Sequence, residues 1–181
     1  CEMVGAFQTM ITRRVDVFDP AVVTVGAVRA GTTDNVIPET ARLVGTIRAV
    51  SERTRGLVFE ELERLATHIA LAHDMTATFR IDPGFPVTIN DADAARWVAG
   101  VARDLVGDDL VVDMPSPVMG AEDWSYVLQQ VPGAMAFLGT SPPGVAFHEA
   151  APNHSNRMVI DEDAMAVGVA LHAAIALSEL G

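Results

Sequence analysis

Residues 1–14 carry apolar side chains at 3, 4, 7, 10 and 11, a stripe with helical spacing that opens without a capping residue. A helix that begins in mid-pattern predicts an upstream part that these residues lack. Pro20 pushes Asp19 out of helical geometry, so residues 15–20 read as a turn. The β-branched run 22–29 predicts a strand, and the polar turn from Gly31 to Asn35 leads to a second strand over 40–50. There Ala41, Leu43, Gly45, Ile47 and Ala49 alternate with Arg42, Val44, Thr46, Arg48 and Val50, which implies one buried and one more solvated face. Ser51 is placed to cap a long helix. Its stripe is Val58, Leu62, Leu65, Ile69 and Ala72, with Glu60, Glu61, Glu63 and Arg64 opposite. Residues 76–81 read as a third strand, interrupted by Asp82-Pro83-Gly84-Phe85-Pro86 before 87–89.

The order helix, strand, strand, helix, strand describes a two-layer α+β sandwich. One missing first strand would complete a ferredoxin-like βαββαβ unit. From Asn90 the pattern changes to a second αβ alternation, which divides the chain into residues 1–89 and 90–181. A helix with Trp97, Val98, Val101 and Leu105 on one face leads to a strand around 110–114. Gly120 opens a further helix with Glu122 and Asp123 in its first turn. Short strands are expected at 134–138 and 157–160, separated by a Gly/Pro loop over 139–153, and a closing helix runs from Asp161 to Leu180.

Composition narrows the function. The formal charge is -12, from 12 basic against 24 acidic residues, so the mean field repels phosphate backbones and anionic lipid. Neither nucleic acid nor a membrane is an expected partner, and no apolar run reaches the roughly 18 residues of a span. One cysteine, Cys1, excludes an intramolecular disulfide and a thiolate metal cage and fits a reducing compartment. All basic residues are Arg, which removes lysine Schiff-base and P-loop chemistry. A soluble, cytoplasmic protein is expected.

His154, in Pro152-Asn153-His154-Ser155-Asn156 after the long loop, is the foremost candidate for chemistry. A neutral imidazole on a short polar turn can ligate a divalent metal, although a lone loop histidine is more often a surface or capping residue. His148, Glu149, Glu122 and Asp123 could join it, but none shows the i, i+4 spacing of two ligands on one helical face. Glu122 and Asp123 could also act as acid and base, yet their place at a helix start explains them without catalysis. Asn35 could make an Asx-turn or present its amide to a substrate carboxylate.

Several short motifs stand in a particular order: Gln8-Thr9 with Arg13-Arg14-Val15-Asp16, Val22-Val23-Thr24-Val25-Gly26, Gly31-Thr32 with Asn35-Val36-Ile37-Pro38, Gly45-Thr46-Ile47-Arg48, Met119-Gly120-Ala121-Glu122-Asp123, and Asn153-His154-Ser155. Together they resemble the metal-dependent aminoacylase and hippurate hydrolase family of amidohydrolases. The resemblance implies an α/β metallohydrolase catalytic domain interrupted by a ferredoxin-like lid that also dimerises. Residues 1–89 would be that lid without its first strand, and residues 90–181 the C-terminal segment of the catalytic domain.

It further implies a two-ion site for zinc, manganese or cobalt, in which a metal-activated water cleaves the amide bond of an N-acyl amino acid or dipeptide-like substrate. His154 corresponds to the last metal ligand. Asn35 corresponds to the lid residue that holds the substrate carboxylate, reaching the partner subunit's site in a homodimer formed through residues 1–89. The remaining ligands, the glutamate base and the Gly-Gly-His lid motif are expected upstream, so the 181 residues alone are expected to be inactive. A related metallo-carboxypeptidase or dipeptidase shares these features. A complete, non-catalytic dimerisation or ligand-binding module is the competing reading, but it leaves the Asn-His-Ser loop unexplained.

Overall fold

The computed structural model describes residues 1–146 and 148–180; Phe147, within the expected 139–153 loop, and Gly181 lie outside the described residues. Two compact units result: Cys1–Thr88 with Ser116–Ser125, and Ile89–Pro115 with the residues from Tyr126 onward. A division at 89 and 90 leaves residues 116–125 with the second part, whereas the structure groups them with the first.

In the first unit, helix α1 (Glu2–Arg14) buries Phe7 and Met10 of its stripe, and Arg13 and Arg14 sit in its last turn, where the helix dipole favours cations. Strands β1 (Ala21–Ala30) and β2 (Ala41–Ala49) pair antiparallel, from Ala21↔Ala49 to Ala30↔Ala41. Val25 pairs with Gly45 and Ala27 with Val44, so Gly26 is an extra residue that bulges β1. The Ser51 hydroxyl accepts from the Thr54 N–H at 3.1 Å and caps helix α2 (Glu52–Ala72). Phe7, Met10, Ala21, Val23, Val58, Leu62 and Ala66 form one core, with Leu43 and Ile47 of β2 packed against it. Each such large apolar side chain, fully buried, contributes about 1.5–3 kcal/mol.

The buried face of α2 is turned from the expected stripe. Val58 and Leu62 are buried, but Leu65 and Ile69 are only half-buried and Ala72 is exposed. Ala66 and Ala70 are buried instead, because short side chains let the helix sit close to its neighbours. Glu61, expected on the solvated face, is 7% exposed. Its carboxylate bridges Arg14 at 2.9 Å and Arg64 at 2.6 Å, and these two guanidiniums make the burial tolerable.

Asp19 draws the turn before β1 onto the start of α2. Its carboxylate accepts from the Thr54 hydroxyl at 2.7 Å, the Ser51 hydroxyl at 2.8 Å and Arg53 at 2.9 Å. The Thr54 bond does most to hold this carboxyl below its ordinary range, and the Arg64 bond does the same for Glu61. Both pKa values are depressed by folding. Their contribution is therefore complete above the unfolded carboxylate values near ~4 and is lost as pH falls through the folded ones. Urea unfolding at neutral and acid pH is expected to show Asp19→Asn less stable at pH 7, with a smaller loss on acidification than the parent. Equal acid losses in both would remove Asp19 from this role.

Residues 76–81 do not complete a third strand. They alternate in exposure, and Ala77 and Phe79 pack against the core, but they form no ladder bonds and the sheet among the described residues is two-stranded. The following segment is fastened to α2: Arg55 donates to the Pro83 carbonyl and lies 5.1 Å over the Phe59 ring, and the Val87 N–H donates to Glu52 at 2.7 Å.

In the second unit, the Asp91 side chain caps helix α3 (Ala92–Val106) by accepting from Asp93 and Ala94 N–H groups, and Gly107 ends it at φ +89°. The strands expected at 110–114, 134–138 and 157–160 are absent among the described residues, and a short 3₁₀ turn occupies Asp108–Leu110. A run of apolar residues becomes a strand only through a neighbour's hydrogen-bond ladder, which these runs lack. Met135 pairs instead with the Asn90 side chain through both its N–H and its carbonyl, at 2.9 and 3.1 Å.

The helix expected from Gly120 shrinks to α4 (Trp124–Leu128), so Glu122 and Asp123 precede it. Helix α5 (Ala164–Leu180) packs on α3. No described helix is long and apolar enough to cross a membrane.

Candidate metal and substrate residues

His154 sits at φ +69°, a left-handed conformation uncommon for any residue but glycine and a form of backbone strain that concentrates at functional sites. The Ser155 N–H donates to the Pro152 carbonyl at 3.1 Å, closing a turn with Asn153 and His154 at its centre. Ser155 braces the next turn as well: its hydroxyl oxygen accepts from Arg157 N–H at 3.1 Å and its carbonyl from Met158 N–H at 3.2 Å. At its root the loop is pinned by Asp161 N–H on the Thr140 carbonyl at 2.9 Å. The result is an exposed imidazole on a turn of fixed shape.

His148, a further candidate ligand, is also exposed, beside a turn in which Glu149 and Ala150 N–H groups share the Ala146 carbonyl. Glu122 spends its carbonyl on Ser125, which is fully buried and donates at 2.6 Å. His73 lies 2.8 Å from Glu2, joining the end of α2 to the start of α1. Among the described residues no three His, Cys, Asp or Glu side chains converge as a metal site would require. The residues present therefore do not by themselves fit a two-ion centre. What His154 offers is a single nitrogen donor.

Asn35 belongs to the first unit and His154 to the second. The β1–β2 loop begins at Gly31, whose φ of +75° favours glycine, and Ala30, Gly31 and residues 33–38 line an open concavity of about 450 Å³. Thr33 Oγ1 donates to the Asn35 side-chain carbonyl at 3.2 Å and also lies 3.2 Å from Asp34 Oδ1. Occupying the carbonyl end leaves the Asn35 amide NH₂ as the donor that a carboxylate would meet.

One contact missed by the sequence reading brings two motifs together. Arg48 Nη1 donates to the Met119 carbonyl at 2.7 Å, fastening the Met119–Asp123 stretch to β2. Pattern placed Arg48 on the solvated face, but nothing in it shows that a segment 71 residues away returns to meet it.

Comparison with known proteins supplies the family. The sequence matches Peptidase family M20/M25/M40 over residues 4–178. It is 30% identical over 179 residues to Thermostable carboxypeptidase 2 of Saccharolobus solfataricus, covering 97% of this chain and 44% of that protein. It is 32% identical over 182 residues to IAA-amino acid hydrolase ILR1-like 2 of Arabidopsis thaliana, covering 98% and 40%. Among solved structures, a dinuclear metal-binding peptidase of the M20 family from Bacillus subtilis matches with a TM-score of 0.77 at 26% identity, over 99% of this chain and 45% of that one. The chain thus spans less than half the length of these relatives. With both Asn35 and His154 inside the matched span, the chain belongs to peptidase family M20/M25/M40.

Proposed function

We propose that these residues work as part of a metal-dependent amidohydrolase that cleaves the amide bond of N-acyl amino acids or similar small amides. Family membership across residues 4–178 is the observation that carries this reading. In it, residues 1–89 act as the lid and homodimerisation domain, and residues 90–181 as the C-terminal segment of the catalytic domain. Supporting that division, every buried apolar residue among the described residues lies within residues 1–89, so residues 90–181 have exposed apolar surface to cover, such as Val112, Phe137 and Val169. The all-round apolar helix α5 is of the kind that larger domains bury. The single cysteine supports a reducing, cytoplasmic setting.

His154 takes the role of a metal ligand and Asn35 that of the group holding the substrate carboxylate, in the partner subunit's site. The ions, zinc, manganese or cobalt, need further ligands and a general base from the part of the enzyme that these 181 residues do not match. A second reading, a metallo-carboxypeptidase, is favoured by the relationship to Thermostable carboxypeptidase 2.

Turnover of N-acyl amino acids and of dipeptides by the enzyme containing these residues tests both. The expected result is N-acyl amino acid hydrolysis, lost with a chelator and restored by a divalent metal; preference for peptides selects the second reading, and chelator-resistant or absent turnover of either rejects both. The 181 residues alone are expected to show no turnover. In the same enzyme, Asn35→Ala is expected to raise KM by about 10–100-fold, the worth of one charge-assisted hydrogen bond, with a smaller change in kcat. An unchanged KM would remove Asn35 from the carboxylate.

A further inference from the structure

The register of the β1–β2 pair sets Arg29 directly opposite Arg42. Residues directly opposite in an antiparallel pair point to the same face, with Cβ atoms about 4.5–5.5 Å apart. The alternation along β2 puts Arg42 with Val44, Thr46 and Arg48, on the face away from Leu43 and Ile47, which pack on the core. Both arginines are exposed. Like charges in this position oppose strand pairing. Elsewhere Arg14, Arg53, Arg55, Arg64, Arg96 and Arg103 each meet a carboxylate and Arg48 meets a carbonyl, while Arg13, Arg80 and Arg157, far apart in sequence, stand without an ion pair among the described residues. Among the described residues Arg29 and Arg42 have no such partner, and neither Asp34 nor Glu39 of the adjoining loop forms an ion pair with them. In a chain of formal charge -12 this is a local concentration of unpaired positive charge.

We propose that Arg29 and Arg42 together form a binding site for a small carboxylate ligand at the root of the β1–β2 loop. One guanidinium already meets both oxygens of a carboxylate through two parallel N–H bonds, and a second beside it adds donors for the remaining lone pairs and a second positive charge, which a lysine ammonium does not reproduce. The bound anion also removes the like-charge opposition across the strands, so the pair is better satisfied with ligand than without. Ala30, Gly31 and residues 33–38 add an open concavity next to Arg29, where the rest of such a molecule has room. The site is built from charge and strand register alone and does not depend on the roles given to Asn35 or His154.

Titration of the 181-residue protein with glutarate, followed by NMR of the arginine Nε–Hε groups against sodium chloride at matched ionic strength, tests it. Arg29 and Arg42 are expected to shift together on one saturating curve while the other arginines stay still. Arg42→Gln and Arg29→Gln, both at exposed positions, are each expected to weaken glutarate binding about tenfold, the equivalent of one lost charge-assisted contact. Uniform movement of all arginines, an equal response to chloride, or unchanged affinity in either variant overturns the proposal. A glutarate-independent doubling of mass in sedimentation, lost in Arg42→Gln, also overturns it and assigns the pair to contact between protein copies.

Discussion

Replacing His154 with Asn in the enzyme containing these residues is expected to cut metal affinity by at least about 100-fold and activity with it, because even partners one step removed from a metal cost 10–100-fold when lost. Asparagine is the informative substitution. The backbone there stands at φ +69°, which asparagine tolerates far better than alanine, so the Pro152–Ser155 turn survives while the imidazole goes. His154→Ala removes the donor too but adds backbone strain, and agreement between the two separates ligand loss from turn loss. The control is His148→Ala, on the same loop and also exposed, which is expected to keep its metal. Metal content measured by atomic emission after dialysis decides. Normal content in His154→Asn, or loss in His148→Ala alone, moves the ligand role from His154 to another residue.

Gly45→Ala is expected to destabilise the first unit by about 1–3 kcal/mol or more, the range for forcing atoms into filled space. The cause is backbone, not side chain. A Cβ at Gly45 would lie 2.4 Å from the Thr24 carbonyl oxygen and 3.3 Å from both the Thr24 carbonyl carbon and the Val25 Cα. None of these can swing aside as a side-chain tip would, so β1 and β2 must part beside the bulge at Gly26. Because Val23 and Ile47 face each other two pairs further along and both serve the core, the parting is felt under α2. Gly26→Ala provides the comparison, since a Cβ there meets nothing nearer than the Val44 oxygen at 4.0 Å. Urea midpoints of the two variants measure the difference. Equal midpoints would show that the strands shift at little cost.

The same glycine shows how the sequence and the structure divide the information. Alternation along residues 40–50 assigned Gly45 to the buried face, which needs only the two-residue period of a strand. The period says nothing about which backbone lies across the ladder. That the Thr24 carbonyl crowds Gly45 follows from a one-residue bulge, a property of the pair. Glu61 makes the same point on a helix. Local pattern put it with Glu60 and Glu63, but Arg14, 47 residues earlier, closes over it and makes it a buried cross-link.

Local signals sufficed where a segment satisfies its own backbone. Helices α1, α2 and α3, the Ser51 cap and the β1–β2 hairpin were legible from period and capping chemistry, because their hydrogen bonds are made within the element or to a near neighbour. The runs at 76–81, 110–114, 134–138 and 157–160 look like strands in sequence and are not strands here, since a strand is defined by a partner that its own residues do not specify. For the candidate site, the sequence alone singled out His154 and Asn35 as residue types able to ligate and to bind a carboxylate, and the ordered motifs pointed to the family. The left-handed backbone under His154, the Thr33 bond to the Asn35 side chain, the Arg48 hold on Met119 and the opposition of Arg29 to Arg42 were visible only in the three-dimensional structure. The last two depend on groups that the chain brings together through space, and the first two on local backbone and side-chain directions that neither hydropathy nor spacing encodes.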